Sequence, residues 1–170
     1  MAAEADPVTP SIRAADDPDW PAILPIVRAV VTAGDTYAYD AAWTDDELRA
    51  VWLERPPGRT VVAVDAGEVL GTAKLGPNRP GPGAHVATAS FMVSDSARGS
   101  GVGRLLGEHV LAQARADGYR AMQFNAVVAV NHAAVHLWTS LGFTIVGTVP
   151  EAFAHPTAGL VGLHVMHRYL

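Results

Sequence analysis

Between Val93 and Gly103 the chain reads Val-Ser-Asp-Ser-Ala-Arg-Gly-Ser-Gly-Val-Gly, with glycine at the alternate positions 99, 101 and 103. At those three positions no side chain stands between an anion and the main-chain N–H groups. Upstream, His85 to Val93 alternates and ends in an apolar run, the pattern of a strand. Downstream, Val102, Leu105, Leu106, His109 and Val110 recur at helical spacing. The stretch therefore predicts a glycine turn that opens a helix, whose unpaired first-turn N–H groups and positive dipole end favour phosphate. We read it as a cradle for a pyrophosphate. A turn that merely packs a helix on a sheet is the plainer reading; Arg98 and the strand-turn-helix context weigh against it.

Two familiar phosphate motifs fail. A P-loop closes with Gly-Lys-Ser/Thr, and the only lysine of the chain, Lys74, lies far upstream. A dinucleotide fingerprint needs G-x-G-x-x-G and an acid at the end of the next strand. Here the spacing is G-x-G-x-G, and Ala121 to Val128 carries no acid.

With Val93, Arg98, Gly99, Gly101 and Gly103 the junction resembles the V-x-P-x-x-R-G-x-G-x-G/A signature of GNAT-fold N-acetyltransferases, with Asp95 in place of the usual proline. A second block agrees downstream: Asn131, Ala134, Gly142 and Phe143 resemble the family's N-x-x-A-x-x-x-Y-x-x-x-G-F segment, with Trp138 in place of its tyrosine. The resemblance covers residues 11–170 and implies acetyl-CoA as acetyl donor. It also implies an α/β (α+β) fold in which a mixed, mostly antiparallel sheet of six to seven strands is splayed in the middle and carries helices on both faces.

Residue pattern alone agrees on organisation. One domain over 11–170 fits the length, and 49% hydrophobic residues suffice for one core. A net charge of −5 with twelve scattered Lys and Arg argues against a nucleic-acid face. No stretch of 18 apolar residues occurs, and residues 1–10 are acidic and Pro-containing. These features predict a disordered N-terminus, no membrane span and a cytoplasmic setting. Without cysteine there is no thiol nucleophile, so acyl transfer on this chain is direct.

Strands are expected at 11–14, 60–65, 68–75, 85–93, 121–128, 143–149 and 159–169. Helices are expected at about 19–32, from Thr44 with a Thr44/Glu47 capping box, at 101–117 and at 131–141. Ala66-Gly67 reads as a two-residue hairpin turn, Pro25 as a bend in the first helix, and Gly76 to Gly83 as a flexible loop.

Site assignments follow from the resemblance. Main-chain groups near Phe91, Met92 and Val93 are expected to bind the pantetheine arm and polarise the acetyl carbonyl. Arg98, Gly99, Ser100, Gly101, Val102 and Gly103 are expected at the diphosphate, with Asn131 and Trp138 beside the cofactor. Asn131 is also a good helix N-cap, and Trp138 reads equally as a core residue that cannot give up a proton as tyrosine does. Gly147 to Pro156 looks like a GNAT subgroup with a Phe-x-His-Pro loop, and Ser90 to Val93 with Phe124-Asn125 resembles the azetidine-2-carboxylate N-acetyltransferases. These point to His155 and Asn125 as catalytic candidates, Asn125 also holding the acceptor amine. Tyr37 and Tyr39 are candidate walls of the acceptor pocket. His85, Asp35 and Glu151 are further candidate bases.

Metal chemistry is rejected, because Ala133 stands where H-E-x-x-H needs glutamate between His132 and His136, and His164 and His167 have no third ligand spaced nearby. A serine hydrolase fails for lack of G-x-S-x-G. A non-catalytic CoA-binding sensor and a protein N-acetyltransferase remain as alternatives, and the resemblance makes a homodimer possible.

Overall fold

The computed structural model describes residues 10–170. The N-terminal segment expected to be disordered falls, except for Pro10, outside the described residues. Seven strands form one sheet in the order β1-β2-β3-β4-β5-β7-β6: β1 (Ser11–Ala14), β2 (Arg59–Asp65), β3 (Glu68–Pro77), β4 (Val86–Val93), β5 (Ala121–Val128), β6 (Thr144–His155) and β7 (Gly159–Tyr169). Every neighbouring pair is antiparallel except β4 and β5. Those two are joined by α3 (Val102–Ala116). They pair only at Val86 with Ala121 and Ala87 with Met122, and beyond that they part.

Side-chain alternation along the strands builds a core on each face. Val61, Ala63, Ala73 and Ala87 point to α3 and α4 (His132–Ser140), whereas Val62 and Met92 point to α1 (Trp20–Ala33) and α2 (Asp45–Trp52). The helix N-cap of α2 is as the sequence predicts: Thr44 Oγ1 accepts from the Glu47 N–H, and Glu47 accepts from the Thr44 N–H. Pro25 lies within a continuous α1, where Ile23, Ile26, Val27 and Val31 are buried. Burial of that apolar stripe offsets the one main-chain bond that proline removes.

Two boundaries differ from the sequence expectation. Strand β3 continues through Gly76 and Pro77, which pair with Thr88 and Ala87, so the flexible stretch is shorter. Strand β6 does not stop at Val149 but runs to His155, passing a bulge between Val149 and Phe153 in which Glu151 takes φ +52°. Proline is tolerated there because β6 is an edge strand, where a missing donor breaks no ladder on the outer side.

Helix α2 is tied to the sheet by a buried polar chain. The Trp52 indole N–H donates to Thr72 Oγ1 at 3.1 Å, Thr72 donates to the Val61 carbonyl at 2.9 Å, and Thr60 donates to the Trp52 carbonyl at 2.8 Å. Thr72→Val keeps the shape but strands the indole donor in a site without water. It should lower stability by about 1–3 kcal/mol, read as a lower urea midpoint at unchanged m-value.

Candidate active site

Where β4 and β5 part, the sheet opens into a cavity of about 830 Å³, well within the range of small-molecule sites. In an antiparallel ladder successive residues of β4 aim their N–H and C=O alternately at β3 and away from it. The Ser94 N–H bonds the Leu70 carbonyl on the β3 side, while the His85 carbonyl accepts from Arg120 on the β5 side. Odd-numbered residues of β4 therefore present main-chain groups to the opening, and even-numbered ones to β3. Phe91 and Val93 fall in the first set. Met92 does not: its main chain faces Thr72 of β3, and its side chain is 2% exposed in the core beneath α1. The expectation that Met92 contacts the cofactor is corrected accordingly.

At the wide end of the opening stands the N-terminus of α3. Its N-cap is Gly101, and no side chain caps the first-turn N–H groups. Gly99 (φ +76°) and Gly101 (φ +90°) occupy the left-handed region that favours glycine. Gly103 is helical, and a Cβ there would meet only ordinary contacts with Leu137 and Val93. Its value lies in the access it leaves to the helix terminus. Ser100 behaves differently from the sequence expectation, since both its N–H and its hydroxyl donate to the Ala97 carbonyl, at 3.2 and 2.6 Å. It closes the turn instead of offering donors to a ligand. The Val102 side chain is buried in the core, so only its main chain is available to a phosphate. Arg98 borders the cavity and pairs with Asp95 at 3.0 Å.

The loop between α1 and α2 forms the opposite wall. Arg28 anchors it by donating to the Trp43 carbonyl at 2.8 Å and pairing with Asp45. Three aromatic rings follow one another along it: Trp43 and Tyr39 stack at 5.4 Å, and Tyr39 and Tyr37 lie 5.5 Å apart. Tyr37 then meets Trp52 edge-on at 6.3 Å. The Tyr37 hydroxyl accepts from the Phe91 N–H at 2.8 Å and donates to the Phe91 carbonyl at 2.9 Å. Burial pushes its phenol pKa well above the ordinary tyrosine value. No local sequence signal announces this contact, which joins residues 54 positions apart.

Asn125, His155, Asn131 and Trp138 border the same cavity as Tyr37 and Tyr39. Asn125 sits at a register irregularity of β5, accepts from Gln123 at 2.9 Å and donates to Asn78 at 2.6 Å. Sequence reasoning missed Asn78, which lies just beyond β3 and gives no motif. His155 Nδ1 accepts from the Thr157 and Ala158 N–H groups at 3.2 and 3.1 Å. Those two bonds engage Nδ1, so Nε2 is the ring nitrogen left for a ligand. Asn131 Oδ1 caps α4 by accepting from the Ala134 N–H at 3.2 Å, leaving its Nδ2 without a bond to the described residues. Trp138 is 8% exposed and packs against Phe91 at 4.6 Å, Phe124 at 4.8 Å and Phe143 at 6.2 Å. Of the other candidate bases, Asp35 borders the cavity, whereas His85 and Glu151 do not.

A split parallel pair, a cavity within it and an open helix N-terminus at its wide end define a site for an elongated ligand with a phosphate at one end. Residues 20–143 match the Acetyltransferase (GNAT) family, and the chain belongs to that family. It is 37% identical to the L-methionine sulfoximine/L-methionine sulfone acetyltransferase of Pseudomonas aeruginosa, over 83% of this chain and 84% of that one. It is also 37% identical to the N-acetyltransferase aca1 of Schizosaccharomyces pombe, a match spanning 49% of this chain and 40% of the relative. A GCN5-related N-acetyltransferase from Kribbella flavida shares 60% of its residues, with a TM-score of 0.94 over 97% of this chain and 100% of the other. The structure of yncA from Salmonella typhimurium with acetyl-CoA shares 26%, with a TM-score of 0.81 over 95% and 94% of the two chains.

The phosphate end is testable by binding alone. Gly101→Ala places a Cβ at φ +90°, in otherwise open space, at a cost of about 1–2 kcal/mol in the conformation that exposes the donors. Calorimetric titration with CoA should show roughly a tenfold or greater rise in Kd, tenfold being about 1.4 kcal/mol.

Proposed function

We propose that the chain moves the acetyl group of acetyl-CoA directly onto the amine of a small, amino-acid-like acceptor. The observation that carries this reading is the opening between β4 and β5, which runs from the uncapped N-terminus of α3 to a chamber walled by Tyr37, Tyr39 and Asn125. An elongated pantetheine arm fits that opening as an added strand, with Val93 as its main-chain partner and the diphosphate at Gly99 to Gly103. The acceptor takes the chamber. The sulfoximine and sulfone substrates named for the Pseudomonas relative are amino acids with polar side chains, and the amide of Asn125, held by Asn78, suits such a group. The His155 Nε2–H and the Asn131 amide add donors suited to a carboxylate. The acceptor amine arrives as ammonium and loses its proton to water or to Asp35 at the chamber wall.

The test is release of free thiol from acetyl-CoA against a panel of amines that includes L-methionine sulfoximine, L-methionine sulfone, other amino acids and lysine-bearing peptides. Turnover confined to the small amino acids is expected. Tight CoA binding without turnover on any amine would identify a sensor, and preference for peptides would identify a protein acetyltransferase.

We further propose a homodimer joined along the β6 side of the sheet. Val146 and Val149 on the edge strand β6 and Leu160 on the adjoining β7 are 67%, 53% and 63% exposed, apolar side chains at a sheet edge that invites pairing. Val146→Glu should convert a dimer to a monomer in sedimentation velocity.

A further inference from the structure

We propose that the Tyr37 hydroxyl donates the hydrogen bond that holds the thioester oxygen during acetyl transfer, with the Phe91 N–H behind it. The proposal rests on the acetyl-transfer reading above and adds a residue role to it.

Odd-numbered residues of β4 offer main-chain groups to the opening, yet at Phe91 both of them end on one atom. The N–H reaches Tyr37 Oη at 2.8 Å, and the carbonyl receives the phenol hydrogen at 2.9 Å. A carbonyl laid along β4 at this level meets the phenol and not the peptide. Among the described residues, this is the one hydroxyl on the cavity wall that a main-chain N–H backs.

The ring is not free to leave. Trp52 meets it edge-on and is itself tied to Thr72, and Tyr39 packs against it at 5.5 Å. Swinging it out would also strip both main-chain groups of Phe91 of the partner they share. Only the phenol hydrogen has to move. Rotation about the C–O bond turns it from the Phe91 carbonyl to the acetyl oxygen while the N–H bond to Oη stays in place. A hydroxyl that accepts one hydrogen bond donates a stronger one, by about 10–30%. Burial raises the phenol pKa, so Tyr37 stays protonated and acts as a donor throughout the working range of pH.

The step balances without a net proton change on Tyr37. The neutral amine nitrogen attacks the thioester carbon, a C–N bond forms, and the carbonyl π pair moves to oxygen under the phenol O–H. Collapse reforms C=O and breaks C–S. The proton lost by nitrogen ends on the departing thiolate through water, giving amide and free CoA thiol.

The test uses the full chain and Tyr37→Phe, which keeps the ring and its aromatic contacts. With CoA affinity by calorimetry unchanged, kcat should fall on the order of 10²-fold, as for removal of one oxyanion donor elsewhere. Infrared difference spectra of bound [1-¹³C]acetyl-CoA add a readout that packing alone does not move: the carbonyl band should lie lower in wild type than in the variant. A variant that binds CoA normally and keeps kcat within about tenfold of wild type, or shows an unshifted carbonyl band, overturns the inference and leaves the transfer reading intact. A wild-type chain that binds CoA and acetylates no amine overturns both.

Discussion

Strands β4 and β5 are held by two residue pairs, and the rest of the molecule is organised around keeping them apart beyond Ala87. Parallel strands that separate leave rows of main-chain donors and acceptors without partners, and each such group costs free energy when shielded from water. The fold meets that cost from three sides. Strand β5 turns its other edge to β7, pairing along most of its length. The Tyr37 hydroxyl satisfies both inward groups of Phe91. Trp138 from α4 packs against both Phe91 and Phe124, so an aromatic cluster props the diverging strands at the edge of the cavity. What stays open is the strip near Val93, directly beside the uncapped start of α3.

That arrangement couples stability to function in a simple way. The aromatic cluster and the phenol cap stabilise the divergence, and the divergence is what makes the opening. The phosphate end is held more lightly. Arg98 and Asp95 form an ion pair with both side chains more than half exposed, which is worth little in solution. The carboxylate in the position where the resembled signature has proline therefore orients the guanidinium at small cost. A diphosphate can then take the arginine away.

Much of this was legible in the sequence because it is encoded locally. The Thr44/Glu47 capping box, the Ala66-Gly67 turn and the glycine junction all depend on residues within a few positions of one another. The seven strands and their two-faced burial follow from period-2 alternation. The extent of β6 was not legible, since Pro150 reads as a stop and only the edge position makes it harmless. Nor was the side of the ladder to which Met92 belongs. Alternation separates odd from even residues, but which set faces the opening depends on pairing with β3, and that is not local. For His155 the residue type was legible, but not that two N–H groups of the following turn bond its Nδ1.

Trp138 draws these threads together. Where the resembled motif has a tyrosine that can protonate a leaving thiolate, this chain has an indole with no proton to give at neutral pH. A thiol of pKa about 8.5 leaves readily without an acid, so the loss is tolerable on the leaving-group side. The ring fills volume instead, and its contacts with Phe91 fix the residue whose N–H meets Tyr37. The substitution thus moves polar chemistry from the α4 side of the opening to the α1–α2 loop. On that side the phenol is backed by a peptide N–H, and Asn125 and Asn131 border the same cavity. In the proposed transfer the polar groups serve the carbonyl oxygen and the incoming amine, and the sulfur is left to water.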